Sequence, residues 1–462
     1  LTDRTDRKAA VPGKLGKTTW HAPTLSAASH ELDPYLPRSG NLGYRVSRYD
    51  LALEYKVNSN RLSGTVTITA SSYEHLTRFS LDLSSGMRVE RVTVNGRRVR
   101  YTHRFGKLTI TPASPVPTGG AMTVEVRYSG TPRPVRTDWG TVGWEELENG
   151  SLCANQPNGA PSWFPCDDHP EAKAPFRIEI TTDSPYYALA NGRLVSSRRR
   201  AAQTTWVYEQ VEPMATYLAA IQIGQYERRT MTDGPVPMHG LIPPKLSAQF
   251  DVSFGRQPQM IKAFTEMFGP YPFPEYTAVV TEDDLEIPLE SQGFSTFGAN
   301  HCDGTLEHER LVAHELAHQW FGNSVTVARW RDIWLHEGFA CYAEWLWSQH
   351  SGGKSADEWA HHYYAKLAAS PVRMPLADPG ARTMFDDWVY KRGAMTLHAL
   401  RLRIGDGDFF ALLRRWTEKY AYRCVTTEDF IALASTFTKA PLGDIWQDWL
   451  FTPDLPPFPT MS

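Results

Sequence analysis

From Tyr44 to about Glu227 apolar and polar residues alternate with a period of two, and beyond Arg228 the period lengthens to that of a helix. Side chains of a strand point to opposite faces in turn, whereas those of a helix return to one face every three to four residues. The chain must therefore build two different kinds of layer in succession. In the first part, residues 49–55, 64–70 and 122–128 alternate cleanly, and Val94-Asn95-Gly96-Arg97 is a hairpin-turn signal between two such runs. No stretch there sustains a helical period beyond about ten residues, so this half reads as an antiparallel sheet. In the second part the pattern predicts helices over 257–268 (ended by Gly269-Pro270), 306–321, 332–350, 357–367, 389–404, 409–420 and 427–437. A short strand is predicted at 276–281, and Thr426 followed by Glu428 and Asp429 gives the last helix a cap with an acidic first turn. The expected organisation is an extended lead over 1–40, a β domain over 41–227 and a mainly helical domain over 228–462 with a Pro-rich tail, an α+β multidomain chain.

Length and charge limit what such a chain can do. At roughly 100–200 residues per domain, 462 residues make two or three domains. A hydrophobic share of 41% against 21% charged is enough for packed cores without covalent staples. The five cysteines are scattered and contain no Cys-x-x-Cys pair, which argues against a disulfide framework and a cysteine metal site while leaving a single bridge open. Most of the 15 tryptophans are expected in cores or at a domain interface, with some lining a cleft. A formal net charge of -3 gives no reason to expect nucleic acid as a partner. No run reaches the ~18–20 apolar residues that a membrane span requires. The polar, basic start is not followed by an apolar signal region, so the expected location is cytoplasmic; the first residue is Leu1, and loss of an upstream export signal stays open.

The chemistry is concentrated in His314-Glu315-Leu316-Ala317-His318. On a helix, residues four apart stack on one face, so both imidazoles can reach one ion. Two His and one carboxylate leave a fourth zinc position for water, the catalytic arrangement and not the closed structural one. Glu315 can reach that water and act as its general base. Glu337 follows His318 after eighteen intervening residues, at the start of a second predicted helix, and is the candidate third ligand. Glu344, seven residues on along the same face, can accept a hydrogen bond from a ligand imidazole. A bare His-Glu-x-x-His recurs by chance, and a glutamate at a helix start is commonly just a solvated acid. The combination with a second carboxylate-bearing helix is what favours one zinc ion per chain.

With its flank Trp334-Leu335-His336-Glu337-Gly338-Phe339-Ala340, this spacing resembles the M1 family of zinc aminopeptidases, a gluzincin group that includes aminopeptidase N. Trp163-Phe164-Pro165-Cys166-Asp167-Asp168-His169-Pro170 with Lys173-Ala174, Met214-Ala215-Thr216-Tyr217, Tyr390-Lys391-Arg392-Gly393-Ala394, and 426–430 with Trp449-Leu450 agree with it, so the resemblance covers roughly Gly43 to Pro457. It implies an N-terminal antiparallel β saddle domain followed by a thermolysin-like catalytic domain, in a short form without the family's helical C-terminal domain. It implies Glu290 as the anchor for a substrate's free amino group, although Ile287, Pro288 and Ser291 depart from the family's Gly-x-Met-Glu-Asn pattern. It implies Tyr390 as the donor to the developing oxyanion and Gln156 as a lining residue of the first-residue pocket. Arg392 stands where a Lys is usual, and His336, where an Asn is usual, is expected at the surface or rim.

The expected activity is hydrolysis of the N-terminal peptide bond of peptides with a free amino terminus. An endopeptidase or an epoxide-hydrolase-like enzyme on the same metal remains an alternative, as does a non-catalytic zinc scaffold. Glu290 counts against the first, and the retained Glu315 and Tyr390 count against the last.

Overall fold

A computed structural model describes residues 31–459. Three quarters of the expected lead, residues 1–30, and the last three residues of the tail lie outside this range. The alternating sequences form the expected strands. Tyr44–Lys56, Arg61–Ser72 and Ala121–Gly130 lie side by side in an eight-stranded sheet. The full strand order is 193–200, 203–214, 174–183, 44–56, 61–72, 121–130, 87–94 and 97–98. Ala174–Asp183 alternates buried and half-buried residues along its whole length, the signature of a sheet packed on one face. Asn95 and Gly96 both take positive φ, 50° and 73°, as the two-residue turn between Met87–Val94 and Arg97–Arg98 requires.

The sheet is not wholly antiparallel. Tyr44–Lys56 and Ala174–Asp183 run parallel, with Tyr49 opposite Phe176. The intervening chain builds strands of two smaller sheets before it returns, and a return over that distance can enter in either direction. All five cysteines are free thiols, so the possible bridge is absent.

Beyond residue 227 a second sheet is ordered 227–231, 238–242, 276–280, 294–297 and 289–291. Its three middle strands are parallel, and Tyr276–Val280 at the centre is buried throughout. Leu289–Ser291 forms one edge, antiparallel to Phe294–Phe297. Helices α1 (Ser247–Ser253) and α2 (Gln257–Phe268) lie between the sheet's second and third strands, and α3 (Glu309–Ala317), α4 (Trp334–His350), α5 (Ala356–Ala369), α6 (Asp387–Lys419) and α7 (Thr427–Ala434) follow it. Among the described residues no helix is long and apolar enough to cross a membrane. Helix α6 joins the two predicted helices across a break at Gly405, where φ is 81°. Helix α3 is shorter than the predicted 306–321. The turn at Asp303–Thr305, in which Asp303 Oδ1 accepts from the Thr305 amide at 2.8 Å, delays its start, and a tight turn after His318 ends it.

Helix α4 is the centre of this half. Every residue from Trp334 to Trp347 is buried, as expected of a helix with neighbours on all sides. It packs on α6 through two glycines: a Cβ on Gly338 would lie 2.7 Å from the Gly393 Cα. No real Cβ tolerates that approach, so the two backbones meet only because neither residue has a side chain. Gly338→Ala should therefore destabilise the fold by about 1–3 kcal/mol, the usual cost of overpacking a tight core. Urea unfolding checks this, and an unchanged midpoint would mean that the two helices separate without penalty.

Candidate metal centre

Three ligating groups converge where α3 meets α4. His314 and His318 project from one face of α3, and Glu337 lies in the first turn of α4. Glu337 Oε2 is 3.4 Å from His314 Nε2 and 3.4 Å from His318 Nε2. These separations are long for hydrogen bonds. They match the edge of a tetrahedron about 3.3 Å long, which follows from zinc–nitrogen and zinc–oxygen bonds of ~2.0–2.1 Å. The far ring nitrogens are both engaged. His314 Nδ1 meets Glu344 Oε1 at 2.7 Å, and His318 Nδ1 meets the Phe321 carbonyl at 3.0 Å. Donation from each Nδ1 leaves each Nε2 with a lone pair aimed at the shared point, the support that ligand histidines need. The donor set therefore fits a zinc-sized divalent cation.

The charge balance points the same way. Glu344 is compensated by Arg310, one turn before His314, whose Nη1 is 3.1 Å from Glu344 Oε2, and by Lys391 from α6. Glu337, Glu315 and Glu290 then remain around two imidazoles, and ligand imidazoles are neutral. Glu290, Glu315 and His318 bring ligand atoms within 4.8 Å of one another. Glu315 is buried, and its Oε2 has no hydrogen-bond partner. A dication offsets this excess of buried negative charge.

The carboxylates separate by environment. Burial pushes Glu315 up to about 7, against the pull of the two imidazoles. Burial also raises Glu290, with His318 opposing and Glu337 reinforcing. Glu337 feels burial too, but His318 and His314 outweigh it and hold it well below the usual range. Glu344 is likewise brought down to about 2 by Lys391, His314 and Arg310 despite burial. In the metal-free cluster His318 is raised to about 10, because Glu337 and Glu290 overcome its burial.

The remaining predicted residues lie as follows. Tyr390, near the start of α6, stacks on His314 with ring centroids 5.9 Å apart. Burial and the neighbouring carboxylates keep its phenol protonated far above neutral pH. Glu290 is half-buried on the edge strand Leu289–Ser291. Gln156 follows Gly150–Ala154, and its amide nitrogen is buried without a hydrogen-bond partner. Glu344 stands where the helix spacing puts it, against His314. His336 corrects the expectation of a rim residue: it is 1% exposed, and its Nε2 accepts from the Val327 amide at 2.8 Å. One residue before Glu337, it is turned away from the ligands toward the preceding turn, and burial lowers it to about 3, so it is neutral. Arg392 does not face the site either. It is fully buried and donates to the carbonyls of Trp449, Pro453 and Asp448 at 3.0, 2.7 and 2.9 Å, clamping the C-terminal segment.

Several residues that support the site carry no sequence signal of their own. Gln319 ties the Glu290 strand to α3, its Oε1 accepting from the Gly293 amide at 2.9 Å and its Nε2 donating to the Ser291 carbonyl at 3.0 Å. Asn323 Nδ2 donates to the same carbonyl at 3.0 Å. The position of Gln319 directly after His318 was the only available hint.

Residues 252–449 match the peptidase family M1 domain and residues 46–218 the peptidase M1 N-terminal domain. A solved two-domain M1 zinc metallopeptidase bound to L-arginine superposes with a TM-score of 0.86 at 33% identity, over 93% of this chain and 99% of that one. An M1 zinc metallopeptidase from Deinococcus radiodurans bound to a Tyr-Ser-Ala substrate gives 0.85 at 32% identity over the same shares. A leucyl aminopeptidase of Saccharolobus solfataricus is 24% identical over 442 residues, 89% of this chain and 54% of the relative. Human endoplasmic reticulum aminopeptidase 1 is 28% identical over 422 residues, 82% of this chain and 44% of the relative. The chain thus spans about half the length of these curated relatives.

The metal-free cluster has a testable pH signature. An unfolded histidine titrates near ~6.5, so the stability contributed by protonated His318 is full below that value and is lost as pH rises through about 10. The depressed Glu337 contributes above its unfolded value of ~4.3 and loses nothing in alkali. Raised Glu315 favours its protonated form, and that contribution is gone by about 7. Chelator-stripped protein should therefore melt at a lower temperature at pH 9 than at pH 7. A melting temperature that rises over this interval would contradict the assignment.

Proposed function

This chain belongs to peptidase family M1, and on that premise we propose that it is a zinc-dependent aminopeptidase removing the first residue of peptides with a free amino terminus. His314, His318 and Glu337 would hold the ion, one per chain. The observation that carries the aminopeptidase reading is the half-buried Glu290 carboxylate, grouped with Glu315 and His318 within 4.8 Å. A glutamate so close to the centre limits how far a substrate can extend on the amino side of the bond to be cut, and it meets an N-terminal ammonium with opposite charge. The relatives' aminopeptidase names and the neighbour's Tyr-Ser-Ala ligand support the same reading.

The chain's own residues divide the work. Glu290 binds and orients the ammonium, whose charge offsets the burial that raises this carboxyl. Zinc, when bound, supplies Lewis acidity toward water and the substrate carbonyl. Glu315, buried beside the two imidazoles, takes the proton of the attacking water at its carboxylate and returns it to the leaving amine. Tyr390, kept protonated, donates a hydrogen bond to the carbonyl oxygen as negative charge develops there. Glu344 keeps the His314 ring oriented.

Glu315→Gln preserves shape but cannot accept a proton. It should retain zinc by metal analysis and lose about 10²–10⁴-fold in kcat. Near-native turnover in the zinc-loaded variant would remove Glu315 from the chemistry.

The reading as an aminopeptidase is tested on Glu290. A charge-assisted hydrogen bond is worth about 1.5–3 kcal/mol, so native protein should cleave free-amine peptides roughly one to two decades faster in kcat/KM than their N-acetylated forms. Glu290→Ala should abolish most of that preference, and the two changes should not add, since both remove one interaction. Equal cleavage of blocked and free peptides by native protein would favour an endopeptidase on the same residues.

A further inference from the structure

The stretch between the two metal-binding helices, residues 318–334, is held in part by side chains of the N-terminal half. Lys173 Nζ donates to the Asn323 carbonyl at 3.0 Å, to the Ser324 carbonyl at 2.9 Å and to Thr326 Oγ1 at 2.9 Å. Tyr217 donates its hydroxyl to the Gly322 carbonyl at 3.2 Å. Asp33 Oδ2 accepts from the Trp330 amide at 2.7 Å, in the turn that leads into α4. We propose that Lys173 is a positioning residue for the metal centre, fixing from the other domain the turn that sets His318 and Glu337 at their spacing. The inference rests on the zinc aminopeptidase reading above.

The reasoning is geometric. An ammonium has three protons and no acceptor, and all three find partners within one four-residue turn. Burial pulls the Lys173 ammonium down to about 8, so it sits in a low-dielectric interface where such bonds are strong. The turn it grips begins where α3 ends, and carbonyls there lack helical partners. Two contacts carry its position to the ligands. Phe321, one residue before Gly322, supplies the carbonyl that orients His318 at Nδ1. Val327, one residue after Thr326, donates to His336 on α4, directly before Glu337. Within the turn Thr326 Oγ1 itself donates to the Gly322 carbonyl at 2.6 Å, so the three groups move as a unit. Removing the cation takes the Lys173 bond from the Ser324 carbonyl and leaves the Asn323 carbonyl with the longer bond from Thr326 Oγ1 at 3.3 Å, so the turn is less firmly fixed.

A residue that only fastened two domains together would lower the melting temperature and leave the centre alone. Lys173→Met should instead weaken zinc binding about 10–100-fold, the usual effect of losing a group that supports a ligand, measured by competition with a chromophoric chelator. It should also lower kcat while KM stays within about twofold. Lys173→Arg, which keeps a cation, should recover most of both. If Lys173→Met does not fold, Tyr217→Phe decides the question: loss of one neutral hydrogen bond on the same turn should weaken zinc binding about 2–10-fold. Native zinc affinity and kcat in a folded Lys173→Met protein, or in Tyr217→Phe where the first does not fold, would overturn the inference and leave the aminopeptidase reading intact. Purified native protein that takes up no zinc would overturn that reading, and this inference with it.

Discussion

Three carboxylates, Glu290, Glu315 and Glu337, crowd around two imidazoles inside the helical half, and most of the surrounding architecture answers the cost of keeping them there. An uncompensated buried charge costs several kcal/mol after relaxation. The arrangement is tolerable only if the side chains cannot swing apart and if a cation can enter among them. Rigidity comes from α4, buried on every side, and from the Gly338–Gly393 contact that brings α6 and Tyr390 against it. It also comes from Gln319 and Asn323, which lash the strand of Glu290 to α3 through the Ser291 carbonyl. Removing any of these would loosen a cluster that has little hydrophobic reason to stay together.

The same constraint explains why the β half matters to a centre it does not enter. The two helices that carry the candidate ligands are joined by residues 318–333, and a connecting segment on its own is among the most mobile parts of a fold. Here the turn is lined by Lys173, Tyr217 and Asp33 from the N-terminal half. It also pairs through Thr326–Val327 with Cys424–Val425 on its other side. Fixing it from both flanks converts a sequence separation into a set distance between His318 and Glu337.

What was legible in the sequence follows from what is local. Strand alternation, the turn at Asn95-Gly96, the helix stop at Gly269 and the stacked pair His314 and His318 are all set by neighbours within one or two turns of chain. The pairing of Glu344 with His314 was legible because helix periodicity puts it seven residues from Glu337 on one face. The parallel entry of Ala174–Asp183 beside Tyr44–Lys56 was not, because it depends on where a long excursion returns. His336, Arg392 and Gln319 were misread or passed over for a related reason. Each bonds to main-chain groups distant in space or sequence, and backbone carbonyls and amides leave no mark in a sequence. His336 was expected outward because an imidazole beside a candidate ligand suggests the rim, yet the helix rotation that points Glu337 at the His314 and His318 imidazoles points its neighbour at the Val327 amide.

The four glutamates of the centre also show how one residue type can be given two kinds of task. Glu337 and Glu344 are both depressed, and in each case imidazoles or cations overcome burial. Glu315 and Glu290 are both raised, because burial acts on them with less to oppose it. A carboxylate that must ligate or orient needs to stay ionised throughout the working pH range. One that exchanges a proton needs an affinity near the working pH, and one that binds an ammonium gains most where it is poorly solvated before the ligand arrives. Without the ion, the direction of each shift follows which charges face each carboxylate. The cause lies in the second layer: Arg310 and Lys391 stand behind Glu344, two imidazoles flank Glu337, and Glu315 Oε2 is left without a partner.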